Sequence, residues 1–520
     1  MILAIENKEL YAYEIHSLIK AFYPEKEVKV YAEGSESYAR YLAHEKTAPE
    51  ISLRFAVIFS QEDIVVRQGE RSFSARERGF TAEGRTANPE NEEEAGNEAH
   101  PADQEEGRID YSVKSKVCKD VLKHLLYRAL CELTGRTLPW GELIGIRPTK
   151  IAMTHLLGGE TAEQAQAALE REYCVSGEKA ALAVEIASRE REILAPIHYE
   201  NGYSLYIGIP FCPTTCLYCS FTSFPIASWQ DRVAAYLDAL EREMAHTAAL
   251  MRGRILDTVY IGGGTPTTLS APQLERLLLA VERYFPLERL QEYTVEAGRA
   301  DSITPEKLTV LKAHGITRIS VNPQTMKDET LRLIGRHHTV AQVKEAFSAA
   351  REAGFDNINM DLILGLPGET QEDVAYTIQE VEKLSPDSLT VHSLAIKRAS
   401  RLNQWIEKNG ISSIHNTDDC MRIAAEGAHR LGMNPYYLYR QKNMSGNFEN
   451  VGYAREGRYG IYNILIMEEK QSIMALGAGS ISKALFPGGR IERSDNCKDV
   501  ATYIQNIEEM LHRKERLFAE

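Results

Sequence analysis

Residues 203–219 read YSLYIGIPFCPTTCLYC. The first seven, rich in Tyr and Ile, favour a strand that Pro210 ends. Three cysteines follow at once: Cys212, Cys216 and Cys219, spaced C-x3-C-x2-C. Three thiolates on one loop do not close a tetrahedral zinc site by themselves. They suffice for three irons of a [4Fe–4S] cube and leave the fourth iron open to a ligand. The competing readings are a zinc ion with a distant fourth ligand and three unrelated cysteines. The spacing, directly after a strand, favours the cluster. The other five of the eight cysteines are scattered: Cys118, Cys131, Cys174, Cys420 and Cys497. Such a set in 520 residues makes no disulfide framework.

Downstream, short β-rich runs alternate with amphipathic stretches. The runs are 258–263 (TVYIGG), 293–297 (YTVEA), 318–322 (RISVN), 358–365 (INMDLILG) and 388–395 (SLTVHSLA). With 203–209 they make six units of strand and helix. This spacing predicts an α/β fold with a parallel sheet, a partial (β/α)6 TIM-like barrel. In such folds the chemistry lies at the C-terminal strand ends. Polar or glycine residues do fall there. The second run closes with Gly262, Gly263, Gly264 and Thr265, and glycines let a backbone approach a ligand closely. The third carries Glu296, the fourth leads to Gln324 and then Arg336, the fifth carries Asp361, and the sixth ends near Ala395. A helix cap or surface charge competes for the two acids, and a surface ion pair for Arg336. His337 and His338 read as a solvated pair at a helix end, and His314 and His392 have no visible partner.

C-x3-C-x2-C is the signature of the radical S-adenosylmethionine enzymes, and the opening Tyr206-Ile-Gly-Ile-Pro-Phe-Cys212 narrows the likeness. The chain resembles the oxygen-independent coproporphyrinogen III oxidase family over roughly 204–483. IGIRPTKI, YYLYRQKNMSGNFENVGYA and YNILIMEEKQ resemble its longer HemZ-type branch. The resemblance implies a [4Fe–4S] cluster on Cys212, Cys216 and Cys219 and an S-adenosylmethionine beside it. It assigns cofactor contacts to Tyr206, Tyr218, Gly263, Gly264, Thr265, Glu296, Gln324, Arg336, Asp361 and Ala395. It further implies a one-electron cleavage of the cofactor and hydrogen removal from a substrate propionate. Decarboxylation to a vinyl group would take coproporphyrinogen III to protoporphyrinogen IX, with an external electron donor. A tetracarboxylate substrate calls for cations such as Lys397, Arg398, Arg401, Arg440 and Lys442, near Tyr439, although a solvated basic face explains the same residues.

The chain departs from the genuine oxidases in three places. Phe221 stands where they have a fourth cysteine, Gly208 where they have histidine, and Asn322-Pro323-Gln324 where they read Gly-Val-Gln. The reaction class is unaffected, and the substrate is left open. The alternatives are a haem-binding, haem-trafficking relative without oxidase activity and a radical haem-modifying methyltransferase.

The net charge of −14 argues against general nucleic-acid or membrane-surface binding. No apolar run of membrane-spanning length and no secretory start appears, which predicts a cytoplasmic protein. Three regions are expected. Residues 1–195 form a small α+β N-terminal domain, with strands within 51–66, a helix over 117–133 and one long helix over 161–194. Residues 72–108, acidic and poor in apolar side chains, read as a disordered loop within it. Residues 196–400 form the barrel and 401–520 a separate, mainly helical region on the substrate side. PWGELIGIRPTK (139–150) reads as a packed junction, with phosphate or RNA binding as the competing reading.

Overall fold

A computed structural model describes the chain except residues 45–48, 79–109, 146, 222, 398–399, 411–412, 442–443 and 519–520. Two compact units emerge, Met1–Val184 and Glu185–Glu520. Residues 401–520 thus share a unit with the barrel strands and do not stand apart, because their strands join the same sheet.

The first unit is built on a sheet of β1 (Ile2–Glu6), β2 (Val28–Ala32), β3 (Leu53–Phe59), β4 (Ile64–Gln68) and β5 (Arg71–Ser74), in the order 2-1-3-4-5. β1 is parallel to both neighbours, and β3, β4 and β5 form an antiparallel meander. Ser72–Ser74 are therefore strand; the acidic remainder of the expected loop, from residue 79, lies outside the described residues. The helices Ala12–Phe22 and Lys116–Thr134 supply apolar residues to the core with Phe55, Val57 and Phe59. Ser115 caps the second helix at its N-terminus and left-handed Gly135 ends it. The single helix expected over 161–194 is two, Ala162–Tyr173 and Gly177–Ile193. The break falls at Cys174, which adopts a left-handed conformation with φ 54°.

The second unit carries one eleven-stranded sheet. Its strands are β6 (Gly202–Ile209), β9 (Ile255–Gly263), β10 (Glu292–Gly298), β11 (Arg318–Val321), β12 (Ile358–Leu364) and β13 (Ser388–Ser393), then β14 (Asn434–Tyr439), β15 (Asn450–Ala454), β16 (Ser472–Leu476), β17 (Ile481–Leu485) and β18 (Ile491–Asp495). The short pair β7 (Phe211–Cys212) and β8 (Phe224–Pro225) stands apart. Strands β6 and β9 to β13 are neighbours in sequence order and all parallel. They are the six expected strands, each within a few residues of its sequence assignment. Their runs are buried on both faces, as a parallel sheet covered by helices requires. Helical residues predominate after Arg401, yet this region also extends the sheet at both edges. β15 pairs antiparallel with β13, and β16 pairs parallel with β6.

Candidate functional site

The cysteine loop leaves β6 and is closed at its base. Phe211 pairs with Phe224 and Cys212 with Pro225, and the Phe224 amide donates to the Pro210 carbonyl at 2.8 Å. Its middle is tied to the end of the short helix Asp328–Leu333 and to the end of β10. The Leu217 amide donates to Ile334 O (2.9 Å) and Thr214 Oγ1 to Gly335 O (2.9 Å). Arg299, just past Glu296, is buried and donates to Thr214 O (3.2 Å) and Oγ1 (2.7 Å). Two further bonds to Asp301, at 3.0 and 2.6 Å, hold the guanidinium in place.

Cys212, Cys216 and Cys219 are free thiols. Burial pushes Cys212 and Cys219 up, and hydrogen bonds from Thr265 and Ser223 oppose it at Cys212. Each also feels the charge of Cys216. Among the described residues, no three His, Cys, Asp or Glu side chains converge on a single metal ion. Separate thiols on one rigid loop fit a cluster in which each cysteine takes a different iron.

The glycine run explains itself by contacts. A Cβ at Gly264 would lie 2.5 Å from Phe211 O and 3.0 Å from Cys212 Sγ. One at Gly262 would lie 2.9 Å from Glu296 Oε2, and Gly263 has φ 106°. The residues without side chains thus let β9 approach both the cysteine loop and the acid. Thr265 follows, its hydroxyl 3.5 Å from Cys212 Sγ.

Glu296 lies at a register shift between β10 and β11 and accepts a 2.5 Å hydrogen bond from Tyr260. Burial pushes its carboxyl up to about 7, with nearby Asp361 adding to the effect. Tyr206, Tyr260 and Tyr462 stack beside it, with centroid separations of 6.3, 4.5 and 6.1 Å. Burial raises Asp361 too, but His392 and Asn359 outweigh it and the net shift is downward. Asn359 Nδ2 donates to Asp361 at 2.7 Å, and His392 Nε2 lies 3.8 Å away. Tyr439 lies 3.3 Å from the other ring nitrogen of His392.

Gln324 has φ 69°, rare for a residue with a side chain. Its amide donates to Asp361 O and its carbonyl accepts from the Ile363 amide, both at 2.9 Å. Its Oε1 is buried without a hydrogen-bond partner, as are Asn322 Oδ1 and Arg336 Nε. Arg336 otherwise donates to Asn322 O and to Tyr218 OH, the latter at 3.3 Å. Buried polar atoms normally find partners, so the orphaned Nε of Arg336, whose guanidinium meets Tyr218 of the cysteine loop, marks the seat of a polar ligand. This donor set fits an iron–sulfur cluster with S-adenosylmethionine beside it.

Several assignments change. Arg336 is only 6% exposed and is no surface ion-pair partner. His338 is 2% exposed and 3.6 Å from Asp301, so only His337 is solvated. His314 pairs with Glu282 at 2.7 Å. Ala395 lies past the end of β13 and bridges to Met444. Among the basic residues, Arg440 is buried against Asn447 and Arg401 donates to Thr215 O. Arg440 does not fit a solvated basic face, whereas Arg401 is exposed. Arg398 and Lys442 lie outside the described residues. Sequence reasoning missed Arg299 and the His392–Tyr439 contact. The former had a signal, an arginine three residues past the strand-end acid. The latter joins residues 47 apart, with no local mark.

Comparison with known proteins gives the family. The radical SAM superfamily model matches residues 206–381. The oxygen-independent coproporphyrinogen-III oxidase-like protein HemZ of Bacillus subtilis is 42% identical over 398 residues, 76% of this chain and 79% of that one. The heme chaperone HemW of the same organism is 42% identical over 195 residues, 37% of this chain and about half of its own length (51%). The solved coproporphyrinogen III oxidase of Escherichia coli superposes with a TM-score of 0.49 at 25% identity, over 62% of this chain and 72% of that one. With its C-x3-C-x2-C loop at the end of β6, the chain belongs to the radical SAM proteins of the coproporphyrinogen III oxidase-like HemZ family.

Proposed function

We propose that this protein is a radical S-adenosylmethionine oxidoreductase that decarboxylates propionate side chains of a tetrapyrrole, coproporphyrinogen III in the first instance. The observation that carries it is the three-thiol loop at the end of β6 with the buried, partly unbonded Arg336 guanidinium against its Tyr218. The similarity to the oxidase-like HemZ protein over most of both chains supports the substrate class.

In this reading Cys212, Cys216 and Cys219 hold a [4Fe–4S] cluster. Tyr206, Tyr218, Gly263, Gly264, Thr265, Glu296, Gln324, Arg336, Asp361 and Ala395 contact S-adenosylmethionine. When bound, the pair supplies one-electron cleavage and a hydrogen-abstracting radical, fed by an external electron donor. The chain's own part is placement and exclusion. Arg299 and Thr214 keep the thiol loop in one position. Asp361, held below the usual carboxylate range, stays ionised to accept hydrogen bonds from hydroxyl groups. The stacked Tyr206, Tyr260 and Tyr462 stand beside Glu296, and Tyr260 donates to its carboxyl.

A haem-binding chaperone is the second reading. Phe221 favours it: the aromatic residue that takes the place of a fourth cysteine is 76% exposed. A heme chaperone is 42% identical over 195 residues of this chain, which supports the same reading.

The deciding experiment is anaerobic. Reconstituted protein, a reductant, S-adenosylmethionine and coproporphyrinogen III are combined, and 5′-deoxyadenosine and porphyrins are followed together by mass spectrometry. Decarboxylated product in step with cofactor consumption is expected, and Cys216→Ala abolishes both. Cofactor cleavage with unchanged porphyrin overturns the substrate. Tight haem binding without cleavage establishes the chaperone.

A further inference from the structure

The N-terminal unit holds a thiol, an imidazole and a carboxylate that the barrel chemistry does not use. His124 lies on the helix Lys116–Thr134, Glu142 lies in the PWGEL segment, and Cys174 directly follows the helix Ala162–Tyr173. Cys174 Sγ is 3.8 Å and Glu142 Oε1 is 3.6 Å from one atom, Nδ1 of His124. Glu142 is fully buried, while His124 and Cys174 remain partly accessible.

The backbone around the trio is tightly fixed. Gly141 has φ 54°, and a Cβ there would lie 2.1 Å from Tyr173 O and 2.4 Å from Cys174 O. The Glu142 amide donates to Tyr173 O (3.0 Å) and the Ser176 amide to Pro139 O (2.9 Å). These contacts lock the PWGEL segment onto the turn that carries Cys174. That turn is left-handed at a residue with a side chain, a conformation that tends to cluster at functional sites. Burial pulls His124 down, but its bonds to Cys174 and Glu142 outweigh burial and push the imidazole up to about 9. Reactive cysteines sit beside cationic or proton-accepting groups, and the imidazole stands 3.8 Å from Sγ. A second thiol is near: the charge of Cys174 helps to raise Cys131, on the same helix as His124.

We propose that Cys174 is a nucleophilic thiol built for exchange with small disulfides, with His124 as its cationic partner and Glu142 as the buried counter-anion at the same imidazole nitrogen. Sγ attacks one sulfur of the disulfide, forming a Cys174 mixed disulfide. The old S–S bond breaks and its electron pair leaves on the second sulfur as a thiolate. The proton from Sγ resides on His124 Nδ1 and passes to the departing thiolate. Cys174 is oxidised, half of the small disulfide is reduced, and no other reactant is needed.

The test uses the full chain with its cluster reconstituted, glutathione disulfide as probe near neutral pH, and peptide mapping of every cysteine over time. Cys174 should acquire its adduct roughly tenfold faster than the half-buried Cys131 and Cys497. Changing His124→Gln or Glu142→Gln should slow Cys174 by about tenfold and leave Cys497 unchanged. A Cys174 rate no higher than that of Cys497 in the unaltered chain overturns the proposal. So does an unchanged rate in a folded His124→Gln variant. Should both variants fail to fold, the ranking in the unaltered chain decides by itself.

Discussion

Glu296 shows how much one buried acid governs. Its carboxyl, ordinarily near 4.5, is pushed up to about 7 by burial beside Asp361. Between those values the folded chain keeps a proton that the unfolded chain has lost. The folded state therefore binds more protons, and stability falls as pH rises through this window. Above pH 7 the loss levels off at about 3 kcal/mol. Glu296→Gln keeps an acceptor for the Tyr260 hydroxyl and removes the charge. Without cofactor, the variant should melt above the unaltered protein near pH 8 and together with it near pH 5, by calorimetry. An equal gap at both pH values would contradict the assignment. The place of Glu296 was readable from sequence, because an acid at the end of a β-rich run stands out. Its protonation was not, since the cause is burial within the folded sheet and the charge of Asp361 on another strand, which outweigh the hydrogen bonds from Tyr260 and the Gly263 backbone.

At the scale of elements, the parallel strands were legible because each is a short run of β-branched and apolar residues bounded by turns. The break at Cys174 was not. Helical periodicity continues through it, and only packing against Gly141 reveals the left-handed turn. The strands β14 to β18 that extend the sheet were equally hidden, all of them short. Most consequential was the anchoring of the cysteine loop. Arg299 joins the end of β10 to Thr214 through a guanidinium 3% exposed. Truncating a buried ion pair on one side leaves the other charge uncompensated. Arg299→Ala should therefore cost about 3 kcal/mol, with Asp301 left without its bidentate partner. More telling is the loop itself. Reconstituted variant protein should hold less iron per chain than Arg299→Lys, which retains one donor to Thr214. Equal iron contents would mean that β7, β8 and the Ile334 contact suffice to hold the thiols.

The second unit is closed by its own C-terminus. The helix Ile507–Leu517 returns to the helix Val233–Leu250 and inserts Lys514, fully buried, onto fully buried Glu243 at 2.6 Å. Glu243 also accepts from Tyr503 OH (2.6 Å), Asn496 Nδ2 (2.6 Å) and the Gly477 amide (2.8 Å). Gly477 follows β16, and the neighbouring Ala478 amide donates to Tyr236, whose hydroxyl donates to Gly208 O at the end of β6. One buried network therefore ties the last helix to the strand that carries the cysteines. Lys514→Met removes the cation and leaves Glu243 three donors, so the cost should be about 3 kcal/mol, at the lower end for a broken buried pair. Adding Glu243→Gln removes the stranded charge and should restore a large part of the loss, measured by urea unfolding. Amide exchange supplies the spatial test. In Lys514→Met, β16 and the end of β6 should exchange faster while β12 and β13, far along the sheet order, stay protected. Faster exchange confined to the last helix would show that it docks without supporting the cysteine-bearing strand.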